Sequence, residues 1–279
     1  MGYDNNANLN STRKSDFFSQ ETIRLHYQKL QSKSLRVRLS SDLLNVNYFD
    51  VTDQNVFLPS AGVGVDMVVA PRTVLETDYN FSYIDFPHDV SVSSYNQSAR
   101  VGLKRVLTED VILRAGFDLS SRDFQDRKIN QTDGFLSDST ERSDTRTAVD
   151  SDLSVYVIKN TLLRFGSNYF WNDSNDPFHD YYDFQGFKLF SGIFVEFNSK
   201  VSGFAKIAYE RRAYDSRPLL NSDGVFEHDH MANVTGGLVY RFNSNVSLES
   251  AYNYRQKNSN EPAERYSGSM STLGLIYSF

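Results

Sequence analysis

Charged residues recur in this chain at alternate positions, each beside an apolar or aromatic neighbour. Arg36 and Arg38 interleave with Leu35, Val37 and Leu39, Arg114 lies between Leu113 and Ala115, and Arg164 lies between Leu163 and Phe165. Lys104 and Arg241 follow Leu103 and Tyr240, and the acids Glu76, Asp78, Glu196 and Glu249 obey the same spacing. One polar side chain every second residue is strand spacing, and it gathers the charges on one face. The chemistry open to such a face is electrostatic. Guanidinium and carboxylate groups either pair across neighbouring strands or set a field for anionic and polyhydroxylated solutes. The six cations Arg36, Arg38, Lys104, Arg114, Arg164 and Arg241 all lie near short turns, where Glu76, Glu196 and Glu249 are the accompanying acids. That arrangement predicts a net-positive ring at one mouth of a mildly basic lumen. The acid excess behind the net charge of −6 falls in the loops.

Bond-making chemistry has little footing. The five histidines include His228-Asp229-His230 beside Glu227, a weak metal-binding arrangement that reads as a solvated junction of strand and loop. No serine sits in a nucleophile context, no glycine-rich phosphate loop occurs, and the absence of cysteine excludes thiolate metal sites and disulfide scaffolds. No enzyme activity, metal, cofactor or nucleic-acid partner is expected.

The elements that carry the charges are long. Segments such as Val111–Leu119, Phe187–Phe197 and Val246–Tyr254 alternate for ten residues or so between turns. This is about twice the five or six residues typical of a soluble sandwich strand. Turns fall into two classes that alternate along the chain: tight ones at 31–34, 70–72, 108–110, 159–160, 198–200 and 243–245, and longer polar ones at about 10–15, 50–56, 87–93, 127–143, 174–180, 215–228 and 258–264. With a first strand at Tyr3–Leu9, this predicts a single domain over 1–279. Its fold is an all-β, transmembrane antiparallel barrel of about 14 strands with both termini periplasmic. The mean hydropathy of −0.49 fits, because only alternate residues would meet lipid.

Further expectations follow from the same alternation. Leu44, Val46 and Tyr48 are out of phase with Leu35, Val37 and Leu39, which predicts a β-bulge near Ser41–Leu43. Tyr27, Tyr83, Tyr169, Trp171, Tyr209 and Tyr254 are expected in a girdle at the long-loop rim, and Phe197, Tyr240, Phe242, Tyr277 and Phe279 in one at the short-turn rim. Glycines on the polar face, among them Gly62, Gly64, Gly116, Gly166, Gly237 and Gly274, are expected to widen the bore. The 127–143 loop is expected to fold inward through Phe135 and Leu136. Leu273, Leu275, Tyr277 and Phe279 form an apolar stripe ending on a terminal aromatic, the form of an assembly signal read by the outer-membrane barrel assembly machinery.

The opening Gly2-Tyr3-Asp4-Asn5-Asn6-Ala7-Asn8-Leu9, followed by Ser15-Asp16-Phe17-Phe18, resembles that of the β-barrel porin 2 family, as do the long alternating strands and the ending Tyr277-Ser278-Phe279. The resemblance implies a role in exopolysaccharide export, with polysaccharide and periplasmic export proteins as partners. Residue chemistry alone leaves two functions open. One is a passive, porin-like conduit for saccharide through a polar lumen. The other is a barrel plugged by its own side chains, acting as an anchor or as partner of a periplasmic assembly. Both place the protein in the bacterial outer membrane, against lipid and lipopolysaccharide. Met1-Gly2-Tyr3-Asp4 lacks a basic and then apolar stretch, so it reads as a start from which the targeting segment has been removed.

Overall fold

Alternation of apolar and polar residues lets a strand bury its backbone hydrogen bonds in a wall that has two unlike faces. In the computed structural model, fourteen antiparallel strands close into one barrel in sequence order. The first half comprises β1 (Gly2–Asp4), β2 (Asp16–Ser32), β3 (Leu35–Tyr48), β4 (Val56–Ala70), β5 (Thr73–Ile84), β6 (Ser94–Val106) and β7 (Val111–Asn130). The second comprises β8 (Leu136–Ile158), β9 (Thr161–Ser174), β10 (Phe184–Glu196), β11 (Val201–Leu219), β12 (Ser222–Arg241), β13 (Val246–Ser259) and β14 (Tyr266–Tyr277). The structure describes every residue except 8, 10–13, 132–134, 179, 220, 221 and 279, and the side chains of 138, 222 and 223. Phe279, at the end of the expected assembly stripe, therefore lies outside the described residues, whereas Leu273, Leu275 and Tyr277 project outward, 56%, 69% and 66% exposed.

The barrel is inside out relative to a water-soluble domain. Val101, Leu103, Leu113, Phe117, Leu119, Phe165, Leu189, Ile207 and Leu238 stay between 39% and 56% exposed on the outer face. Among the described residues, six hydrophobic side chains are buried against sixteen polar or charged ones. An exposed apolar band of this extent has its natural solvent in lipid rather than water. Aromatic pairs border it: Tyr83–Tyr95 at 4.9 Å, Tyr169–Trp171 at 4.6 Å and Phe187–Tyr209 at 6.0 Å toward the long-loop rim, and Tyr240–Phe242 at 5.0 Å toward the short-turn rim.

Several expectations are corrected. Tyr27 pairs in register with Leu39 and lies five residues from the end of β2, in the short-turn half and not in the upper girdle. No bulge interrupts β3 at Ser41–Leu43. Its pairing with β4 runs unbroken from Leu35 to Val46, so Leu44, Val46 and Tyr48 point inward, where Tyr48 packs on Phe18 at 5.3 Å. The segments 127–143 and 215–228 are not loops for most of their length. They extend β7, β8, β11 and β12 to 20, 23, 19 and 20 residues, and so build two tall hairpins. Register shifts at Asp123–Lys128 and Ala213–Pro218 break the alternation there and hide the strands from a periodicity reading. Phe135 and Leu136 do not dock inside; they are 73% and 64% exposed at a hairpin tip.

The first strand is three residues long, not the seven expected. It sits between β14, where Gly2 opposes Thr272, and β2, where Gly2 opposes Phe18. Buried Asp4 holds this closure: its Oδ2 accepts from Arg255 Nη2 on β13 and from the Tyr48 hydroxyl on β3 (3.2 Å), and its Oδ1 from the Asn6 amide (3.0 Å). Toward the short-turn rim, below Met1, β2 and β14 flank a slot and nowhere approach within 8 Å, Cα to Cα. A cavity of about 900 Å³ opens there between Thr22, Arg24 and His26 on β2 and Gly274, Leu275 and Ile276 on β14.

Two outcomes test this wall. Phe117→Arg, on the outer face, is expected to cost about 2–4 kcal/mol of folding stability in a bilayer, while Ser120→Asn on the inner face stays within about 0.5 kcal/mol. Equal losses in urea titrations would invert the assignment of faces. An alternating six-residue extension fused ahead of Gly2 is expected to pair with both edges of the slot and raise the unfolding midpoint, each hydrogen bond contributing about 0.5–1.5 kcal/mol. An unchanged midpoint would show that the edges do not accept a strand.

Candidate functional site

Inward residues on adjacent strands are brought together by register, and the strongest meetings are between arginine and aspartate. Arg38 on β3 reaches Asp66 Oδ1 on β4 at 2.7 Å and Asp78 Oδ1 on β5 at 2.9 Å. Arg100 on β6 spans the whole width of β7 to bond Asp150 on β8 at 2.7 Å. Arg114 lies 3.5 Å from Asp152 and 3.8 Å from Glu76, and Asp152 also takes Arg164. These reaches cross glycines. A Cβ at Gly64 would stand 2.5 Å from Asp78 Oδ1 and 2.8 Å from the Arg38 guanidinium. One at Gly116 would stand 2.5 Å from Arg100 Nη2 and 2.9 Å from Asp150 Oδ1. These glycines do not widen the bore as expected, because a neighbour's side chain fills the space each leaves. Phe190 does so over Gly166, Phe170 over Gly186 and Phe204 over Gly237, all with would-be Cβ contacts under 3.0 Å. Gly274, with nothing within 4 Å, is open.

The expected ring of six cations is therefore not one of free charge. Arg38, Arg114 and Arg164 are paired, chiefly to Asp66, Asp78 and Asp152. Register sets these three acids beside them, whereas the expected ring is accompanied only by Glu76, Glu196 and Glu249. Arg36, Lys104 and Arg241 make no ion pair among the described residues. Arg36 opposes Asp66, Lys104 opposes Arg114, and Arg241 opposes Ser247. Glu76 faces Arg114, Glu249 opposes Gly274 beside the slot, and Glu196 ends β10 at the short-turn rim. His228 and His230 stack edge to face at 5.6 Å while Asp229, between them, turns inward to Lys257 at 3.0 Å. Among the described residues no three histidine, aspartate or glutamate side chains are placed to hold a metal.

The concentration of positive charge lies higher, at the long-hairpin rim. A cavity of about 680 Å³ is lined by Arg122, Arg127, Arg142, Arg146, Arg212 and Arg217 with Asp144 as its one carboxylate. Four elements position them: β7, β8, β11 and the segment joining β9 to β10. That segment is tied to the tall β7–β8 hairpin by buried Asp176, which accepts the backbone amide and the side-chain amide of Asn130 at 3.0 and 3.1 Å. Every arginine lies against a ring. Arg142 is 3.4 Å from the Tyr182 centroid, Arg146 3.9 Å from Phe170, Arg122 4.6 Å from Phe124, and Arg217 4.6 Å from Tyr181. Arg127 lies 5.2 Å from Tyr182 and Arg212 5.2 Å from Phe184. Cation–π stacking of this kind fixes each guanidinium plane and leaves its edge for hydrogen bonds.

Arg122 and Arg212 were identifiable in the sequence as polar-face cations. Arg127, Arg142, Arg146 and Arg217 were missed. All but Arg146 lie in stretches that read as loops, although Arg142, Asp144 and Arg146 at every second position are a strand signal in themselves. Below this cavity a second, of about 780 Å³, shares Ser98, Ser120 and Arg146 with it. It carries Arg100, Arg114, Arg146, Arg164 and Lys188 against Glu76, Asp118, Asp150 and Asp152, so charge is nearly balanced there. The polar path thus runs from a strongly basic outer cavity into an ion-paired middle.

Comparison with solved structures places the architecture among outer-membrane barrels. OmpT of Vibrio cholerae superposes with a TM-score of 0.56 at 12% identity, over 95% of this chain and 97% of that one. The CymD monoaromatic hydrocarbon channel gives 0.53 at 10% identity over 100% and 87%. The Pseudomonas putida toluene transporter TodX gives 0.50 at 10% identity over 100% and 88%. These likenesses establish the fold. No family model matches the chain, and no curated relative matches it by sequence.

The glycine-spanning ion pairs yield a direct test. Gly116→Val is expected to force Arg100 off Asp150 and to cost about 1–3 kcal/mol, whereas Gly274→Ala should change stability by less than about 0.5 kcal/mol. Chemical denaturation of both variants checks this, and a neutral Gly116→Val would mean that the pair does not depend on the missing side chain.

Proposed function

We propose that this chain is an outer-membrane channel that passes a saccharide through its polar lumen, with the short-turn rim and both termini on the periplasmic side. One observation carries the reading: a continuous polar path, from the arginine-lined outer cavity to the ion-paired middle, runs inside a barrel whose outer face is apolar. Such a lumen does no bond-making; it replaces the solvation of a polar solute while the wall excludes lipid. The aligned cations near the outer rim concentrate anions by focusing their field within the low-dielectric wall. Assembly is proposed to begin from the outward stripe Leu273, Leu275 and Tyr277, read by the barrel assembly machinery. Passage of exopolysaccharide is the further form of this function that the resemblance of the opening residues favours.

A second reading, a sealed barrel serving as an anchor or interaction partner, draws support from the ion pairs and phenylalanine rings that occupy the inner wall over Gly64, Gly116, Gly166 and Gly237. Planar-bilayer recording separates the two. The channel reading expects steady open currents with a preference for anions in low salt. That preference should fade as salt rises, since the Debye length contracts to about 8 Å at physiological ionic strength. A correctly folded, heat-modifiable barrel that stays silent overturns the channel and leaves the anchor.

A further inference from the structure

Six arginines line the outer cavity, and the structure divides them into two sets. Arg142 is spent on Asp144, which it grips with two bonds of 2.8 and 2.6 Å, both side chains being buried. Arg212 is paired with Glu210 at 2.7 Å and Arg217 with Glu227 at 2.9 Å. Arg122, Arg127 and Arg146 have no carboxylate within 4.0 Å among the described residues. Their hydrogen bonds go only to neutral oxygens: Ser94 Oγ at 3.0 Å, the Tyr182 hydroxyl at 3.2 Å and Asn168 Oδ1 at 3.5 Å. Three half-buried guanidinium groups around one cavity, each beside a ring and each with no carboxylate at ion-pair distance among the described residues, are an incomplete electrostatic arrangement.

We infer that Arg122, Arg127 and Arg146 form a binding site for a polyhydroxylated carboxylate, an acidic saccharide, in the outer cavity of the lumen. The inference rests on the channel reading in taking the lumen to be open to solute. A planar guanidinium fork suits a planar carboxylate bidentately, and the cavity holds no lysine that would offer a bare point charge instead. Hydroxyl groups find neutral partners on the same walls in Asn80, Asn96, Ser98, Ser120 and Asn172. A zwitterionic amino acid fits poorly, because Asp144, the one acid in the lining, is buried and its charge is already matched by Arg142, which leaves no net negative charge for an ammonium group. The volume of about 680 Å³ accommodates one or two sugar rings, within the range of small-molecule sites generally.

Calorimetric titration of the folded barrel in detergent, with glucuronate, glucose and acetate as probes, tests the site apart from conduction. Glucuronate is expected to bind at least tenfold more tightly than acetate, and glucose not measurably. The double variant Arg122→Gln, Arg146→Gln, verified as folded by heat-modifiable mobility, should lose at least tenfold in glucuronate affinity. Arg146→Lys should weaken acetate and glucuronate by a similar factor and leave their ratio unchanged, since the charge survives, the fork does not, and the hydroxyl partners are untouched. Equal binding of glucuronate and acetate would reduce the site to one for any small anion and overturn the inference, as would glucuronate binding that the double variant leaves intact. Absence of bilayer current together with tight glucuronate binding would sink the channel while the site stands; steady current with no glucuronate binding would do the reverse.

Discussion

Closure of the wall is the constraint on which everything else in this molecule depends. A strand in a lipid-facing sheet has no water to satisfy its backbone, so each needs a neighbour on both sides. Twelve strands here, β2 to β13, find both neighbours in the strands beside them in sequence, but the ring closes only through β1 and its three residues. That strand is held from inside as much as from its edges. Asp4, with no exposed surface, gathers Arg255 from β13 and Tyr48 from β3, and Asn6 donates to the Ser267 carbonyl on β14. A buried carboxylate with charged and neutral donors converging on it is costly to leave unpaired, which is why so short a strand can hold a seam.

Within the closed ring, the same economy of space governs the interior. Arginine is long enough to cross a neighbouring strand, but only where that strand presents no side chain. Gly64 and Gly116 provide this clearance, and the resulting pairs tie β3 to β5 and β6 to β8. Such ties brace the wall against ovalisation in a way that nearest-neighbour hydrogen bonds alone do not. They also neutralise the middle of the lumen, so the field that a solute meets is set above it, by guanidinium groups stacked on Phe124, Phe170, Tyr182 and Phe184.

The tall hairpins connect these two levels. By rising beyond the wall, β7–β8 and β11–β12 carry Arg127, Arg142 and Arg217 to where they can surround a common space. The segment after β9, anchored by Asp176, contributes Tyr181 and Tyr182 as the rings against which they lie. Stability and recognition therefore share residues: each ring that orders a guanidinium also removes it from water and makes an anion more welcome beside it.

The sequence by itself determined the wall. Alternation at Leu113–Leu119 or Phe187–Phe197 dictates strand, assigns each residue to a face, and, with two classes of turn, sets fourteen strands and their order. It stopped short wherever the period broke, as at the register shifts that hid the upper ends of β7, β8, β11 and β12. It also misjudged the extent of β1, reading Tyr3–Leu9 where only Gly2–Asp4 pair, because so short a strand carries no period. Only the tertiary structure decided which charges are free. Arg38, Arg114 and Arg164 looked no different in sequence from Arg122, yet the first three are paired with carboxylates while Arg122, like Arg127 and Arg146, has none within 4.0 Å among the described residues. The physical reason is that a side chain's partners are chosen by the hydrogen-bond register of adjacent strands and by the clearance over an intervening glycine. A period-two pattern specifies the face on which a charge lies, while its height against the neighbouring strand, and hence its counter-ion, exists only once the ring has closed.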